Sequence, residues 1–466
     1  MTKKKIGFEV VRSVYCLAGD KRNDLLVVKG NNWYDDGSTE PTLQFVENYK
    51  RPFYVTKPAL RVHRDKREWE HKSNLIRYTC AQHELSYRIA QALGKRGGDL
   101  SYRALADSPY LYGSDVSTPT LIKYAYAKKY PECKSPRRTI ATLDIEATPD
   151  NRREVLMVTV FYQDISYLWI NEKWASSVPN YMAKVHEEWE KRIVPLLRRP
   201  TEFRPMLVPD AASAVVHAMN KLHELKPDFV SIWNMDYDVP TMMNELDRAG
   251  LNKDDIMSDP TVPPQYRFYK YIKGKGVKVK AGKEQPIHPA DQWHKPIHPA
   301  GWFFVDSMAV YRTIRLAKGM EPDYTLDGVL QRNLNIQKLK MEGTEHLDGY
   351  RWHVHMQANE KVVYTVYGAW DGISLAYLEE ETKDLAVSFP ILCDNSEFEN
   401  FKSNPTKIID DMHLHASEEG YVMGTKPRQV EDEFDALCPI LDGLTTIGPF
   451  RMRVLSNKIS NCWNKA

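Results

Sequence analysis

Two carboxylates stand two residues apart in an otherwise apolar stretch, Asp144 and Glu146 in ATLDIEAT, residues 141–148. In a β-strand, alternate side chains point the same way, so both carboxylates would lie on one face. Two like charges on a buried face cost free energy unless a cation neutralises them. The spacing therefore predicts a pair of metal ligands on a buried strand.

A second pattern, WNMDYDVP at residues 233–240, places Asn234 ahead of Tyr237 and Asp238 where a strand ends and a helix is about to begin. A helix N-cap is the ordinary interpretation of Asp236 or Asp238 taken alone.

A third pattern, YGAWDG at residues 367–372, places Tyr367 and Asp371 four apart on a predicted helix, and hence on one face of it. This pair is also weak by itself. The three patterns are informative only in combination.

Together they supply four carboxylates that an α/β sheet could gather in one place, namely Asp144, Glu146, Asp238 and Asp371. Such a cluster would raise the pKa of its own members unless divalent cations sit among them. Oxygen ligands suit Mg²⁺ or Mn²⁺. Two such ions are a known device for phosphodiester hydrolysis, in which one activates water and the other stabilises the leaving oxygen.

The composition of the 466-residue chain, with 42% hydrophobic and 27% charged residues, is that of an ordinary globular protein of two or three domains. No apolar run is long enough for a membrane span or a secretory signal, which predicts a cytoplasmic protein without a membrane partner. The six cysteines lie far apart and lack a C-x-x-C pair, so free thiols are expected.

Charge is distributed unevenly along the chain. Residues 1–140 hold 26 lysines and arginines against 15 acidic residues, whereas the remainder holds 38 against 47. A basic front segment suggests a polyanion partner, and an acidic remainder suggests cation-binding carboxylates. A merely solvated basic face is the alternative.

The order of the predicted elements indicates the fold class. Strands at 6–17 and 51–60 and a helix at 80–94 give the front segment mixed character, and the polar stretch 128–138 predicts a boundary. Strand and helix patterns then alternate, which predicts an α/β sheet domain. The strands are predicted at 137–147, 153–163 and 228–233, and the helices at 211–225 and 239–250.

A lysine-rich stretch at 267–283 predicts a β-ribbon or flexible loop that contacts phosphates, and a solubilising surface loop is the alternative. It contains Lys270, Lys273, Lys275, Lys278, Lys280 and Lys283. A pentapeptide, PIHPA, then occurs twice and carries His288 and His298. Histidines between prolines in a loop are expected to be solvent-exposed rather than metal ligands.

Further along the chain, a strand followed by a helix is predicted at 301–316, a helix at 324–334 and a long helix at 360–386. The periodic signal weakens beyond residue 385 and is lost after 425, which predicts a partly ordered tail.

The three patterns, DIE, NMDYD and YGAWD, resemble in this order the motifs of the 3′–5′ exonuclease domain of family B DNA polymerases of the phage type, within the DnaQ-like nuclease superfamily. YLYGSD before the first motif, and FFVDSMAVYR with YTLDGVLQRNL before the third, extend the resemblance over residues 50–425. It implies an α+β N-terminal domain (1–135), an α/β, RNase H-like (DnaQ-like) exonuclease domain with a mixed sheet flanked by helices (136–385), and a palm-like start with a divergent tail (386–466).

The resemblance also implies roles by position. Asp144 would bridge two metal ions, Glu146 and Asp371 would complete the water-activating site, and Asp238 would hold the second ion through its water shell. Tyr367 would position the attacking water and the scissile phosphate.

Other positions would contact single-stranded or primer–template DNA. Asn234 and Tyr237 would support the frayed 3′ end, with Asp236 as a neighbour that shares the motif without matching its position. The stretch 267–283 falls where the family has a hairpin that separates primer from template, and Lys338 and Lys340 are candidates for contacting the scissile phosphate.

The family's palm signature D-x-x-S-L-Y-P-S and its later polymerase motifs do not follow EEGYVMGTKP, residues 418–427. We therefore expect a split or truncated polymerase whose C-terminal part is a separate polypeptide, with no polymerase activity from this chain alone, in a host cytoplasm if the protein is phage-encoded. Two alternatives remain: a stand-alone DnaQ-like exonuclease acting on DNA or RNA, and a non-catalytic nucleic-acid-binding subunit of a polymerase assembly.

Overall fold

The computed structural model of the protein describes residues 3–425 except 281, 340, 342, 345 and 348, and at residue 280 it describes the backbone alone. The predictions for the tail 428–466, for Lys340 and for the side chain of Lys280 therefore lie outside the described residues. The described cysteines are free thiols, as expected: Cys16, Cys80, Cys133 and Cys393.

The N-terminal region combines two small antiparallel sheets with short helices. The first sheet runs in the order β1 (Lys5–Leu17), β2 (Asp24–Tyr34), β3 (Thr39–Glu47), and the second in the order β6 (Leu75–Cys80), β4 (Arg51–Thr56), β7 (Leu111–Tyr112). The remaining elements are β5 (Trp69–His71), α1 (Leu85–Leu93), α2 (Tyr102–Ala106) and α3 (Thr118–Lys129). Helix α1 ends, as predicted, at a glycine in the left-handed region, Gly94 with φ +77°.

The centre of the molecule is a mixed six-stranded sheet in the order β11, β10, β9, β8, β12, β17. The strands are β8 (Ile140–Ala147), β9 (Val155–Tyr162), β10 (Ile165–Asn171), β11 (Glu202–Val208), β12 (Phe229–Ile232) and β17 (Phe303–Asp306). Strands β8, β9 and β10 form an antiparallel meander, whereas β12 runs parallel to both β8 and β17, and β11 runs parallel to β10.

Helices flank both faces of this sheet, so the fold is mixed α/β. The helices that follow β9 are α4 (Glu172–Ala175), α5 (Tyr181–Glu188), α6 (Ala211–Leu225), α7 (Met235–Arg248), α8 (Lys253–Met257), α9 (Ser307–Ile314), α10 (Leu326–Leu334), α11 (Gly349–Asn359) and α12 (Lys361–Thr382). One apolar cluster joins the sheet to α6 and α7, and another joins its opposite face to α5 and α12.

Strand β8 alternates between these two layers. Ala141, Leu143 and Ile145 face the cluster with α6 and α7. The intervening residues therefore face α12, because successive side chains of a strand point to opposite faces. This alternation puts Asp144 and Glu146 on one face, as their spacing predicted.

Helix α7 begins earlier than predicted. The pattern predicted a start at Val239, but the helix starts at Met235 and Pro240 lies within it. The carbonyl of Asn234 accepts the backbone N–H groups of Tyr237 and Asp238 at 2.9 and 3.0 Å, which forms the first turn ahead of the proline. The two acidic positions of NMDYD therefore lie inside the helix.

The predicted lysine-rich ribbon is confirmed as an antiparallel pair, β14 (Val277–Lys280) with β15 (Lys283–Pro286). A second short pair at its base joins β13 (Lys270–Ile272) to β16 (Lys295–Ile297). The prediction for the two histidines holds for His288, which is exposed, and is wrong for His298, which is completely buried. The centre of the His298 ring lies 4.5 Å from the centre of the Trp302 ring. The second PIHPA segment therefore packs onto the core of the sheet.

The segment after residue 385 is ordered further than its periodicity predicted. It forms α13 (Phe389–Cys393), α14 (Asn404–Glu418) and β18 (Tyr421–Met423). Its aromatic residues Phe389, Phe398 and Phe401 share one buried cluster with Phe229 and Phe303 of the central sheet. Such contacts between distant segments leave no periodic signal.

Strand β18 pairs antiparallel with β5, so the last described strand lies in the N-terminal region. The division at residues 135 and 385 stays a prediction. Within the described residues, no helix combines the length and the apolar character that a membrane span needs.

Candidate metal centre

Three of the four predicted metal ligands meet in one place. Asp144 and Glu146 of β8 and Asp371 of α12 each offer a carboxylate oxygen, and these oxygens lie within 4.8 Å of one another. Glu146 and Asp371 are buried, and Asp144 retains some solvent exposure. Residues more than two hundred positions apart in the chain thus form one acidic pocket.

Two glycines of α12 let this helix approach the sheet closely enough for Asp371 to reach the carboxylates of β8. A Cβ atom on Gly372 would lie 2.9 Å from Thr159 Cγ2, and one on Gly368 would lie 3.0 Å from Met157 Sδ. Threonine hydroxyls fix the approach, because Thr142 Oγ1 donates to the Gly372 carbonyl at 2.7 Å and Thr159 Oγ1 donates to that of Gly368 at 3.1 Å. The helix therefore seats Asp371 directly over β8.

The acidic cluster disfavours its own ionised form. Burial, and then the charge of Asp371, raises the pKa of Asp144 to about 8. Burial, and then the charges of Asp144 and Asp371, holds the pKa of Glu146 well above its usual range. A divalent cation among these oxygens would reverse both effects.

Lys338 is the cation that the cluster already contains. Its Nζ lies 2.5 Å from Asp371 Oδ2 and donates to the Tyr367 hydroxyl at 3.0 Å. Burial disfavours the charged lysine, but the charge of Asp371, together with the adjacent Tyr367 oxygen, outweighs burial and raises the pKa of Lys338 well above its usual value. Its backbone N–H donates to Asp327 Oδ1 at 2.7 Å, which fixes this segment beside α10.

Asp238 lies near the cluster but outside the close group of three. It is buried in the first turn of α7, and burial followed by the charges of Asp144 and Glu146 raises its pKa well above the usual value. The structure therefore places it within electrostatic range of the pair on β8. Its predicted role, contact with a second ion through water, would suit such a position.

The residues present fit a hard divalent cation. All the donors are carboxylate oxygens, the type that Mg²⁺ and Mn²⁺ prefer. Two of them, Asp371 Oδ1 and Asp238 Oδ2, are buried and have no hydrogen-bond partner in the part of the chain that the structure describes. Buried acceptors without partners are costly, and a metal ion or its water shell would satisfy them.

Glu146 is held by a network that the sequence analysis did not identify. The Tyr364 hydroxyl donates to Glu146 Oε2. Gln357 Nε2 donates to the Tyr364 hydroxyl at 3.0 Å and to the Ala147 carbonyl at 2.9 Å. His353 Nδ1 lies 2.8 Å from the same hydroxyl. Tyr364 lies one helical turn before Tyr367, so its position on the same face of α12 was the available signal.

The predicted contacts to a DNA 3′ end lie at the start of α7. Asn234 is exposed, and Tyr237 is half-buried with the Arg153 guanidinium 4.9 Å from the centre of its ring. Asp236 is not a member of the acidic cluster and pairs with Lys273 Nζ at 2.9 Å. The ribbon region is thereby tied to the helix that carries Asp238.

The remaining predicted lysines of the ribbon, Lys270, Lys275 and Lys278, are exposed and form no ion pair with another described residue. They belong to the segment that the Lys273–Asp236 ion pair ties to α7.

None of the protein-family models matches the chain, and none of the curated proteins matches it.

Proposed function

We propose that this chain is a metal-dependent 3′–5′ exonuclease that removes nucleotides from the 3′ end of single-stranded or frayed DNA. The observation that carries the proposal is the convergence of Asp144, Glu146 and Asp371 within 4.8 Å. Buried carboxylates in such an arrangement are expected to hold divalent cations. The motif resemblance to family B polymerase exonucleases indicates the reaction and its substrate.

We also propose that the central sheet is of the RNase H-like type. An antiparallel meander of β10, β9 and β8 followed by the parallel strands β12 and β17 supports this assignment. So does the position of the first two carboxylates on β8, the central strand of that order, with the third on a helix across its face.

In the proposed reaction, Asp144, Glu146 and Asp371 would hold Mg²⁺ or Mn²⁺, with Asp238 beside a second ion. The bound ions would lower the pKa of a water molecule and stabilise the leaving oxygen. Asp371 and Tyr367 engage two of the three N–H donors of Lys338 Nζ, and the third, which has no partner among the described residues, would donate to a phosphate oxygen.

The Tyr367 hydroxyl, fixed by Lys338, lies beside Asp371 and can orient a water molecule or phosphate oxygen there. Tyr237 offers a ring on which a terminal base can stack, and the ribbon lysines Lys270, Lys275 and Lys278 offer charges to the DNA backbone. These groups would position the strand rather than perform the hydrolysis.

The proposal is tested with a 3′-labelled single-stranded oligonucleotide in Mg²⁺. We expect the protein to release labelled mononucleotide, and expect the activity to disappear in EDTA and in Asp144→Asn. Asp247→Asn is a matched control, because it removes an exposed carboxylate of α7 outside the cluster. A parent protein that binds the oligonucleotide without cleaving it would refute the exonuclease and favour a non-catalytic binding subunit.

The partnership with a separate polymerase polypeptide is a proposal supported only by the resemblance. Co-purification of a palm-bearing polypeptide with the tagged chain, followed by primer extension, would support it. Exonuclease activity without any such partner would favour a stand-alone nuclease.

A further inference from the structure

A cavity of about 350 Å³ lies between α12 and the central sheet, at the opposite end of β8 from the acidic cluster. Ile140 and Thr142 form its floor, on the same face of β8 as the carboxylates, and residues 376–383 of α12 and its end form one wall. Its volume is within the range of small-molecule sites in proteins. It shares no residue with the candidate metal centre.

Each acidic group that lines the cavity already has partners. Arg199 pairs with both Asp164 and Glu380. The Glu379 carboxylate accepts the backbone N–H groups of Leu385 at 2.9 Å and Ala386 at 2.8 Å. Burial raises the pKa of Glu379 to about 7, so this group carries only part of a negative charge at neutral pH.

Of the three other cationic groups that line the cavity, Arg138 is ion-paired, whereas Arg137 and Lys383 form no ion pair within the described residues. Both Arg137 and Lys383 are exposed. Arg138 is 10% exposed, and one of its nitrogens lies 2.8 Å from Glu9 Oε1. Its Nη1 has no hydrogen-bond partner among the described residues. In this cavity the carboxylates are ion-paired or hydrogen-bonded, whereas Arg137, Arg138 and Lys383 retain N–H donors that no described residue accepts.

Part of the remaining lining is apolar, and Thr142 and Gln163 add uncharged polar groups to it. Ile140, Phe161, Ala376 and Ala386 line the cavity beside the basic groups. A bare inorganic anion would contact only the charged part of such a cavity and would leave most of its volume unfilled. A ring system attached to an anion would contact both parts.

We propose that this cavity is a second binding site, for a small phosphate monoester with an attached ring, of the size of a nucleoside monophosphate. Arg137, Arg138 and Lys383 receive the phosphate, since guanidinium and ammonium groups are the usual donors to phosphate oxygens. The apolar wall receives the ring. The inference is independent of the exonuclease proposal, because it uses neither the acidic cluster nor a metal ion.

The test measures binding of 2′-deoxyadenosine 5′-monophosphate to the full chain by calorimetry in EDTA. Without divalent cations the acidic cluster repels a phosphate, so binding there does not contribute. We expect saturable binding of the monophosphate, and at least tenfold weaker binding of deoxyadenosine and of inorganic phosphate. Equal binding of deoxyadenosine, or of inorganic phosphate, would overturn the inference, as would no binding of the monophosphate at millimolar concentration.

Variants locate the site. Arg137→Gln and Lys383→Gln change exposed side chains, and each is expected to weaken binding about tenfold through loss of a charge-assisted hydrogen bond. Lys95→Gln, an exposed lysine beyond the end of α1, is the control and should leave the affinity unchanged. Unchanged affinity in the Arg137→Gln, Lys383→Gln double variant would overturn the inference, whether or not the chain proves to be a nuclease.

Discussion

Lys338 places its Nζ 2.5 Å from Asp371 Oδ2, so one of the candidate metal ligands is engaged by a lysine from the segment that precedes α11. The same Nζ donates to Tyr367, the other motif residue of α12. A cation in this position offsets part of the negative charge of the cluster and competes with any metal ion for Asp371. The two effects can be separated by substitution.

We expect Lys338→Gln to bind Mg²⁺ more tightly than the parent protein while its exonuclease rate falls roughly 100-fold. The affinity rises because a positive charge next to the ligands is removed, and the rate falls because a preorganised donor to the phosphate is removed with it. Mg²⁺ titrations of activity and of thermal stability give the two quantities. Weaker Mg²⁺ binding in the variant would contradict the proposed competition between Lys338 and the metal ion. Lys361→Gln, at the start of α12, is the control.

Tyr364→Phe should weaken Mg²⁺ binding roughly 10- to 100-fold, as is usual when a group that orients a metal ligand is removed. The variant keeps the ring and loses only the hydroxyl that donates to Glu146. Mg²⁺-dependent thermal stabilisation measures the affinity without relying on activity. Tyr377→Phe on the same helix is a matched control, since its hydroxyl accepts the Arg198 N–H at 3.1 Å, away from the acids. Equal Mg²⁺ affinity in both variants would refute the role of Tyr364.

Gly372→Ala is expected to destabilise the protein by up to about 2 kcal/mol in urea unfolding. Alanine gains about 1 kcal/mol of helix propensity, but its Cβ would meet the stiff side chain of Thr159 at 2.9 Å, and overpacking costs roughly 1–3 kcal/mol. Gly349→Ala, at the start of α11 with open space around the added atom, should be neutral or stabilising. A stabilised Gly372→Ala protein would show that α12 does not depend on this close approach.

Asp306→Asn should become more stable than the parent as pH rises from 5 to 7.5, by up to about 3 kcal/mol. Burial raises the pKa of Asp306 to about 7, so the folded protein retains a proton that the unfolded chain has released. Stability from the aspartic acid therefore falls as pH rises through this window, whereas asparagine does not titrate. Asparagine also keeps the helix cap, in which Asp306 Oδ1 accepts the Ala309 N–H at 3.1 Å.

Urea unfolding at several pH values measures this difference. Asp210→Asn is the control, because Asp210 caps α6 and its hydrogen bonds to the backbone and hydroxyl of Ser213 lower its pKa. Because this carboxyl is ionised in both the folded and the unfolded protein between pH 5 and 7.5, the stability difference between its variant and the parent should stay constant over that range. A pH-independent difference for Asp306→Asn would contradict the prediction.

Lys275→Gln combined with Lys278→Gln should weaken binding to a single-stranded oligonucleotide and make that binding less dependent on salt. Removing one lysine–phosphate interaction reduces the slope of log affinity against log salt by roughly 0.7. Lys57→Gln combined with Lys95→Gln makes the same change in net charge at exposed positions of the N-terminal region. Equal slopes for both double variants would show that the ribbon does not contact the strand.

The parts of the candidate site that the sequence predicted are those governed by local periodicity. A period of two places Asp144 and Glu146 on one face of β8, and a spacing of four aligns Tyr367 with Asp371 on α12. Neither periodicity can show that the two faces meet. That inference came from combining the three patterns on an α/β sheet, and the oxygens of three of the four acids lie together.

The parts that could not be predicted depend on contacts between distant segments. Gln357 and Tyr364 act on Glu146 only because α11 and α12 both pack beside β8. His298 is buried because its turn folds onto the sheet, a fact that the flanking prolines do not encode. The segment after residue 385 owes its order to aromatic contacts with β12 and β17 rather than to its own periodicity.

Strand β18 joins β5 through pairs such as Tyr421 with His71, residues that are 350 positions apart along the chain. During synthesis, β5 therefore cannot pair with β18 until all strands of the central sheet have been translated. Closing so large a loop is slow unless the intervening chain has already collapsed. Completion of the N-terminal region is thus expected to be a late event in folding, even though its residues are translated first.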